Sequence, residues 1–264
     1  MTTTDDVSAR LWSESPRQRL EAARTLSALE AAALRKDVAS TSPMKPWPYG
    51  MPTVVNPFLV VLGPSPGNSP QPGDVEFVEQ RPYEEPTVGQ VHPKFLYEDA
   101  RGYWQKVREL SIGVLRGFDP ELSAEECYSL SGQTNLGVGG FGRANKQAVD
   151  PTYARWVPRV VMEKLRPRII IMLGLLSLLK DHEAIRRDFA SSGLIRIDWK
   201  RPDREFRFEQ YQQKKLLFRT WRISRPDGGV TTVVSWPNHP SRAPMTNVDL
   251  WRASIREGAR YLAT

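Results

Sequence analysis

Three short segments carry the residue types best suited to chemistry. Asn238-His239-Pro240-Ser241-Arg242 holds one of the chain's 3 histidines, with Pro237 and Pro240 on either side of the Asn-His pair. An imidazole held stiffly in this way suits donation of a hydrogen bond to a developing anion. Ser241 and Arg242 beside it suit the grip of a phosphate or entry into a groove. Gly63-Pro64-Ser65-Pro66-Gly67-Asn68-Ser69-Pro70 alternates Gly and Pro. That pattern fixes a rigid turn and brings backbone close to a ligand. It is not a dinucleotide-binding GxGxxG, and it lacks the Lys of a Walker loop. Thr134-Asn135 places a carboxamide, both donor and acceptor, where it can read the hydrogen-bonding edge of a base. Taken singly, each has a plainer explanation: a structural His, a Pro/Gly turn, a turn-stabilising Asn.

The surrounding pattern raises the weight of all three. Phe58 to Gly63 (FLVVLG) and Arg168 to Gly174 (RIIIMLG) are continuous apolar runs closed by Gly, the pattern of strands buried on both faces. Cys127 to Asn135 is expected as a further strand with a polar end, and Thr231 to Trp236 as the last buried one. Helical periodicity covers Phe95 to Leu115, Pro151 to Leu165, Ser177 to Ser191 and Asn247 to Leu262. Leu194 to Ser224 alternates as a hairpin does. The expected fold is therefore α/β: a three-layer α/β/α domain around a central four-stranded, mainly parallel sheet, with a β-hairpin insertion. Val7 to Ala39 reads as helix interrupted by Pro16, and Thr41 to Pro57, with five prolines, reads as a linker. This divides the chain into an N-terminal helical extension, 1–45, and a catalytic domain, 46–264. In such sheets ligands bind beyond the carboxyl ends of the strands. GPSPGNSP, TN and PNHPSR each follow a strand at that edge.

Composition narrows the classes. The 264 residues hold 37 Lys+Arg against 30 Asp+Glu, a net charge of +7, and a single cysteine, Cys127. One thiol excludes a disulfide framework and a cysteine-built metal cluster within one chain. A reducing, cytoplasmic setting is expected. No apolar run approaches the ~20 residues of a bilayer span, and Asp5 and Asp6 with no apolar run after them argue against a secretory signal. The charge is uneven: from Arg143 to Arg225 there are 20 basic and 9 acidic residues, a local excess of +11. Gathered on one face, that third would attract a polyanion. Arg143 and Lys146 open it and are expected to contact DNA.

Together these segments resemble the uracil-DNA glycosylase superfamily: GPSPG after a buried strand, TN at the end of the second, RPRIIIMLG as the third and NHPSR after the last, in that order. The resemblance spans about Asn56 to Leu262. HPSRAPMTN, and GYWQKV at Gly102 to Val107, are most similar to the single-strand-selective and mismatch-specific branches. The resemblance implies DNA, single- or double-stranded, as partner, and no membrane. It implies that Gly63, Ser65, Pro66 and Gly67 form the water-activating loop and that Asn135 reads the flipped base. It further implies that His239 stabilises the departing base and that Pro240, Ser241 and Arg242 enter the minor groove. Phe77 fits the spacing of the ring beneath the base, with Tyr83 as its substitute. The absence of cluster cysteines implies a branch without an iron–sulfur cofactor.

One position departs from the pattern. Ser65 stands where relatives carry Asp or Asn, and a serine is a poor base without charge to offset a sugar cation. Asn68 is expected to orient water in its place, with Asp74 or Glu76 as a carboxylate. The segment Asn68 to His92 carries five carboxylates against Arg81 alone, and its length suggests a functional loop. The expected activity is hydrolysis of the N-glycosidic bond of a flipped uracil or other modified pyrimidine, leaving an abasic site. Two alternatives stand beside it: a defence glycosylase that removes a bulky phage-type modified base, and an inactive relative that binds DNA only.

Overall fold

The computed structural model describes residues 10–40, 56–63, 102–135, 161–174, 201–211, 214–225, 227–237, 240 and 245–264. The chain is a mixed α/β structure built on a six-stranded sheet. Two N-terminal helices, α1 (Pro16–Thr25) and α2 (Ala28–Ser40), come first. They are followed by β1 (Leu59–Gly63), α3 (Tyr103–Phe118), α4 (Ala124–Ser129), β2 (Ser131–Asn135) and a π-helical turn (Val161–Leu165). The chain continues with β3 (Ile169–Leu173), β4 (Arg204–Tyr211), β5 (Lys214–Ser224), β6 (Val230–Trp236) and α5 (Val248–Ala263).

The strand order is β2-β1-β3-β6-β5-β4. The first four strands are parallel, and β5 and β4 join β6 antiparallel. Four mainly parallel strands were expected with the hairpin as an insertion beside them; the sheet has six strands, because the hairpin is part of it. The hairpin continues the sheet, because β5 supplies the ladder partner that the free edge of β6 needs, from Arg219 opposite Ser235 to Ser224 opposite Val230.

Both faces of the sheet are buried. On one, Leu59, Val61, Ile169, Ile171, Leu173, Val234, Trp236 and Phe218 pack beneath α3 and α5. On the other, Val60, Leu62, Ile170, Met172, Val233 and Trp221 are buried as well. Continuous burial is why β1 and β3 read as unbroken apolar runs. Trp236 sits at the centre of an aromatic group, edge-on to Phe218 at 4.7 Å and to Trp251 at 6.4 Å. Helices α3 and α5 approach closely where side chains vanish. A Cβ on Gly113 would lie 2.2 Å from Ile255 Cγ2, and one on Gly117 3.0 Å from Ala259 Cβ.

Two local expectations need correction. Cys127 to Asn135 is not one strand: Ser123 caps α4 in a reciprocal capping box with Glu126, so Cys127 and Tyr128 are helical and β2 starts at Ser131. The other is the number of breaks in the N-terminal helical stretch: the interruption at Pro16 is there, with residues 10 and 11 helical before it and Ser15 as N-cap of the helix that Pro16 opens, but the chain breaks a second time between Thr25 and Ala28.

Helix α1 and the residues just before it are bolted to the amino edge of the sheet. Arg19, fully buried, donates from Nε to Ser13 O, from Nη1 to Pro57 O just before β1 and from Nη2 to Trp12 O, at 2.6, 2.8 and 3.3 Å. Burial, joined by the charge of Arg225, pulls its guanidinium pKa down to about 9. Asn56 Nδ2 donates to Leu11 O and Arg19 O. Arg225, also buried, pairs with Glu14 and Asp227 and donates to Pro167 O, just before β3. Arg168 pairs with the same Glu14. On the flank, Arg17 reaches Asp119 at 2.9 Å, and Arg24 reaches Glu126 at 3.1 Å.

Candidate active site

The parallel pairing brings the carboxyl ends of β1, β2, β3 and β6 to one edge. Gly63 and Asn135, the last residues of β1 and β2, are paired in register there. Gly174 ends β3 at φ 68°, a left-handed turn suited to glycine, and takes the chain off the same edge.

Helix α3 runs against the direction of β1. Its last residue, Phe118, packs edge-on against Phe58 at the amino end of β1, at 5.3 Å. Its first, Tyr103, accepts a hydrogen bond from Gln133 Nε2 near the carboxyl end of β2, at 3.2 Å. The helix N-terminus therefore faces the candidate site, with Gly102 as N-cap and no acidic residue in the first turn. The positive end of the helix dipole thus lies at that edge, and no residue of the helix's own first turn is an anion that balances it. Burial pushes the Tyr103 phenol pKa up, only partly offset by Gln133, so the hydroxyl stays protonated. The buried Gln133 Oε1 has no hydrogen-bond partner among the described residues.

Three residues along α3, Lys106 reaches the segment that follows β6. Its Nζ donates to Pro240 O at 2.9 Å and to Met245 O at 2.5 Å. Burial lowers the Lys106 pKa, with Glu109 acting in the opposite direction. Pro240 and Met245 are both buried.

Of the residues expected from sequence, the structure places Gly63, Asn135 and Pro240 at this edge, Asn135 by its backbone. Ser65, Pro66, Gly67, Asn68, Phe77, Tyr83, Arg143, Lys146, His239, Ser241 and Arg242 lie outside the described residues, as do Asp74, Glu76 and the helix expected over Ser177 to Ser191. Part of the basic third is accounted for differently. Arg166, Arg168 and Arg225 serve the amino edge, where Arg166 lies over the Trp12 ring at 5.2 Å and within 3.7 Å of Asp227. Their charge is not directed at the carboxyl edge. Sequence reading missed Gln133, Tyr103 and Lys106 as site neighbours. The two-residue strand period before Asn135 points to Gln133, and GYWQKV contains the other two.

Among the described residues no group of His, Cys, Asp and Glu is arranged to hold a metal ion. None of their helices is long and apolar enough to cross a membrane. No family model matches the sequence, and no curated protein matches it.

Proposed function

We propose that the chain is a monofunctional DNA glycosylase that hydrolyses the N-glycosidic bond of a flipped uracil or other modified pyrimidine. The observation that carries the reading is the register of Gly63 with Asn135. It sets Gly63, where GPSPG starts, beside the backbone of Asn135 at the edge where parallel sheets bind ligands. Burial of both sheet faces supports the three-layer form of the domain. The chain's single cysteine, Cys127, suits a reducing, cytoplasmic setting.

The steps divide among the chain's own residues. Asn135 meets the hydrogen-bonding edge of the extruded base. His239 donates to the base as negative charge grows on it. Asn68, with Asp74 or Glu76 for charge, orients water toward the sugar, since Ser65 cannot. The N-terminus of α3, with no acidic residue in its first turn, adds a positive potential on the side where the leaving base becomes anionic.

The test is incubation of the protein with oligonucleotides bearing uracil and a panel of modified pyrimidines, followed by alkaline cleavage at abasic sites. Cleavage at one or more bases is expected. Salt-sensitive DNA binding with no abasic site on any substrate would replace the glycosylase with the binding-only reading. Excision of bulky modified cytosines with uracil left intact would identify the defence enzyme.

A further inference from the structure

We propose that the outer edge of β4 is a self-association surface, on which a second copy of this chain pairs its own β4 antiparallel about a two-fold axis through Phe206. The proposal does not depend on the glycosylase reading.

β4 ends the sheet, with β5 on one side and no strand among the described residues on the other. It has 8 residues, against 5 in each of β1, β2 and β3, whereas a strand left at an edge is ordinarily kept short. Asp203, Arg204, Glu205 and Arg207 are exposed, so solvent reaches this edge. Backbone donors and acceptors there can be satisfied by water or by another strand. The ladder with β5 is regular from Arg204, opposite Thr220, to Phe208, opposite Leu216, and shifts register beyond Phe208. Phe206 is the centre of that regular stretch.

A two-fold axis at this centre sets Phe206 opposite its counterpart, and Glu205 of each copy opposite Arg207 of the other. Opposite charges directly across two strands stabilise the pairing, and like charges weaken it. Moving the axis one residue either way, to Glu205 or to Arg207, sets like charges face to face. Arg207 makes no ion pair among the described residues. Glu205 meets only one cation in its own hairpin, Arg219 at 2.9 Å. Phe206 stacks on Tyr261 of α5 at 5.2 Å and is only half-buried, which leaves ring surface for its counterpart to cover. Charges usually keep an edge strand from pairing. Here both signs flank an aromatic residue, so a stretch that repels an arbitrary strand matches its own copy. The contact is isologous and closes at two copies. Antiparallel pairing turns the two carboxyl edges in opposite directions, so it occupies neither candidate site.

The test is sedimentation equilibrium of the full chain over a range of concentrations, with the wild type and R207E. The wild type is expected to dimerise, and R207E, which sets carboxylate against carboxylate twice, to raise the dimer dissociation constant about tenfold. A second measurement reads the register. E205C and R207C proteins, mixed and treated with oxidised glutathione, are expected to form a disulfide joining one of each, because directly opposite residues lie within disulfide reach. Either protein alone should give roughly a tenth as much or less, since its two cysteines stand two residues out of register. Cys127 is buried and does not compete. A chain that stays monomeric at every concentration overturns the proposal, whatever else the edge pairs with. A dimer that R207E leaves unweakened overturns it too, because it uses another surface. Equal disulfide yields from the mixture and from the single proteins overturn the pairing about Phe206.

Discussion

Gly63 and Asn135 face each other across two parallel strands at the carboxyl edge of the sheet. The relationship depends on register alone: a shift of one residue would set a neighbour of Asn135 opposite Gly63. A side chain that reads a base from this position should act on the bound, extruded nucleotide and contribute little to holding the duplex. Asn135→Ala is expected to reduce the single-turnover excision rate by roughly ten- to a hundredfold, the equivalent of the ~1–3 kcal/mol that a two-point contact to a base edge supplies. DNA affinity should change less than threefold. Equal losses in rate and affinity would place Asn135 in general DNA binding.

His239 follows β6 in the sequence and precedes Pro240, whose carbonyl accepts from Lys106. If it donates to the departing base, its effect belongs to the chemical step. His239→Ala is expected to slow single-turnover excision by about two to three orders of magnitude, the effect of one lost donor to a developing anion. An unaltered rate at saturating protein would remove His239 from the mechanism.

The elements differed in how far sequence exposed them, for physical reasons. FLVVLG and RIIIMLG were legible because a strand buried on both faces must be apolar throughout, and β1 and β3 are buried at every position. CYSLSGQTN misled because its polar alternation resembles a strand, whereas the Ser123–Glu126 capping box winds its first residues into α4. The β4–β5 hairpin was visible as alternation, but alternation does not say which edge a hairpin joins. That depended on the open edge of β6. Lys106 was hidden for a further reason: its partners are backbone carbonyls 134 and 139 residues away, and a carbonyl leaves no signature in sequence. Arg19 was hidden likewise, as an ordinary helical arginine that the fold buries among carbonyls.

Arg19 provides the test of the amino-edge anchor. Replacement by Met keeps the bulk of the stem and leaves the carbonyls of Ser13, Trp12 and Pro57 without their donor. Arg19→Met is expected to lower unfolding free energy by about 1–3 kcal/mol, the range for leaving buried acceptors without their donor. Urea unfolding followed by tryptophan fluorescence would measure it. Because this edge lies opposite the Gly63–Asn135 pair, excision under conditions where the variant is folded should remain within about threefold of wild type.

Gly258 tests the packing of α5 on the aromatic group. A Cβ there would lie 2.4 Å from Trp236 Cη2 and 3.1 Å from Phe218 Cε1. Trp236 has little room to withdraw, since Phe218 and Trp251 both contact its ring. An alanine in mid-helix ordinarily gains up to about 1 kcal/mol over glycine, but overpacking a filled core costs about 1–3 kcal/mol. Gly258→Ala is therefore expected to destabilise the fold, seen as a lower urea midpoint. A midpoint equal to or above that of the wild type would mean that α5 moves away from the sheet freely.

The ion pairs that anchor the N-terminal helices predict how stability falls in acid. Burial alone would raise the carboxyl pKa of Asp227. The hydrogen bond from Arg225, the Gly229 N–H and the charges of Arg225 and Arg166 outweigh it and hold the group below its ordinary value. Glu126 is held low first by the backbone N–H of Ser123, then by Arg24 and Arg17. For a carboxylate whose pKa is lower folded than unfolded, the unfolded chain binds more protons in acid. The stability it contributes is complete above the unfolded value, about 4, and is lost as pH falls through the folded value. Urea midpoints should accordingly stay level from pH 7 to about 5 as far as these two groups are concerned and drop below about pH 4. Asp227→Asn should lower the midpoint at pH 7 and shrink the acid-induced drop, because the group responsible no longer titrates. An acid profile identical in wild type and Asp227→Asn would show that the Arg225–Asp227 pair contributes nothing to the anchor.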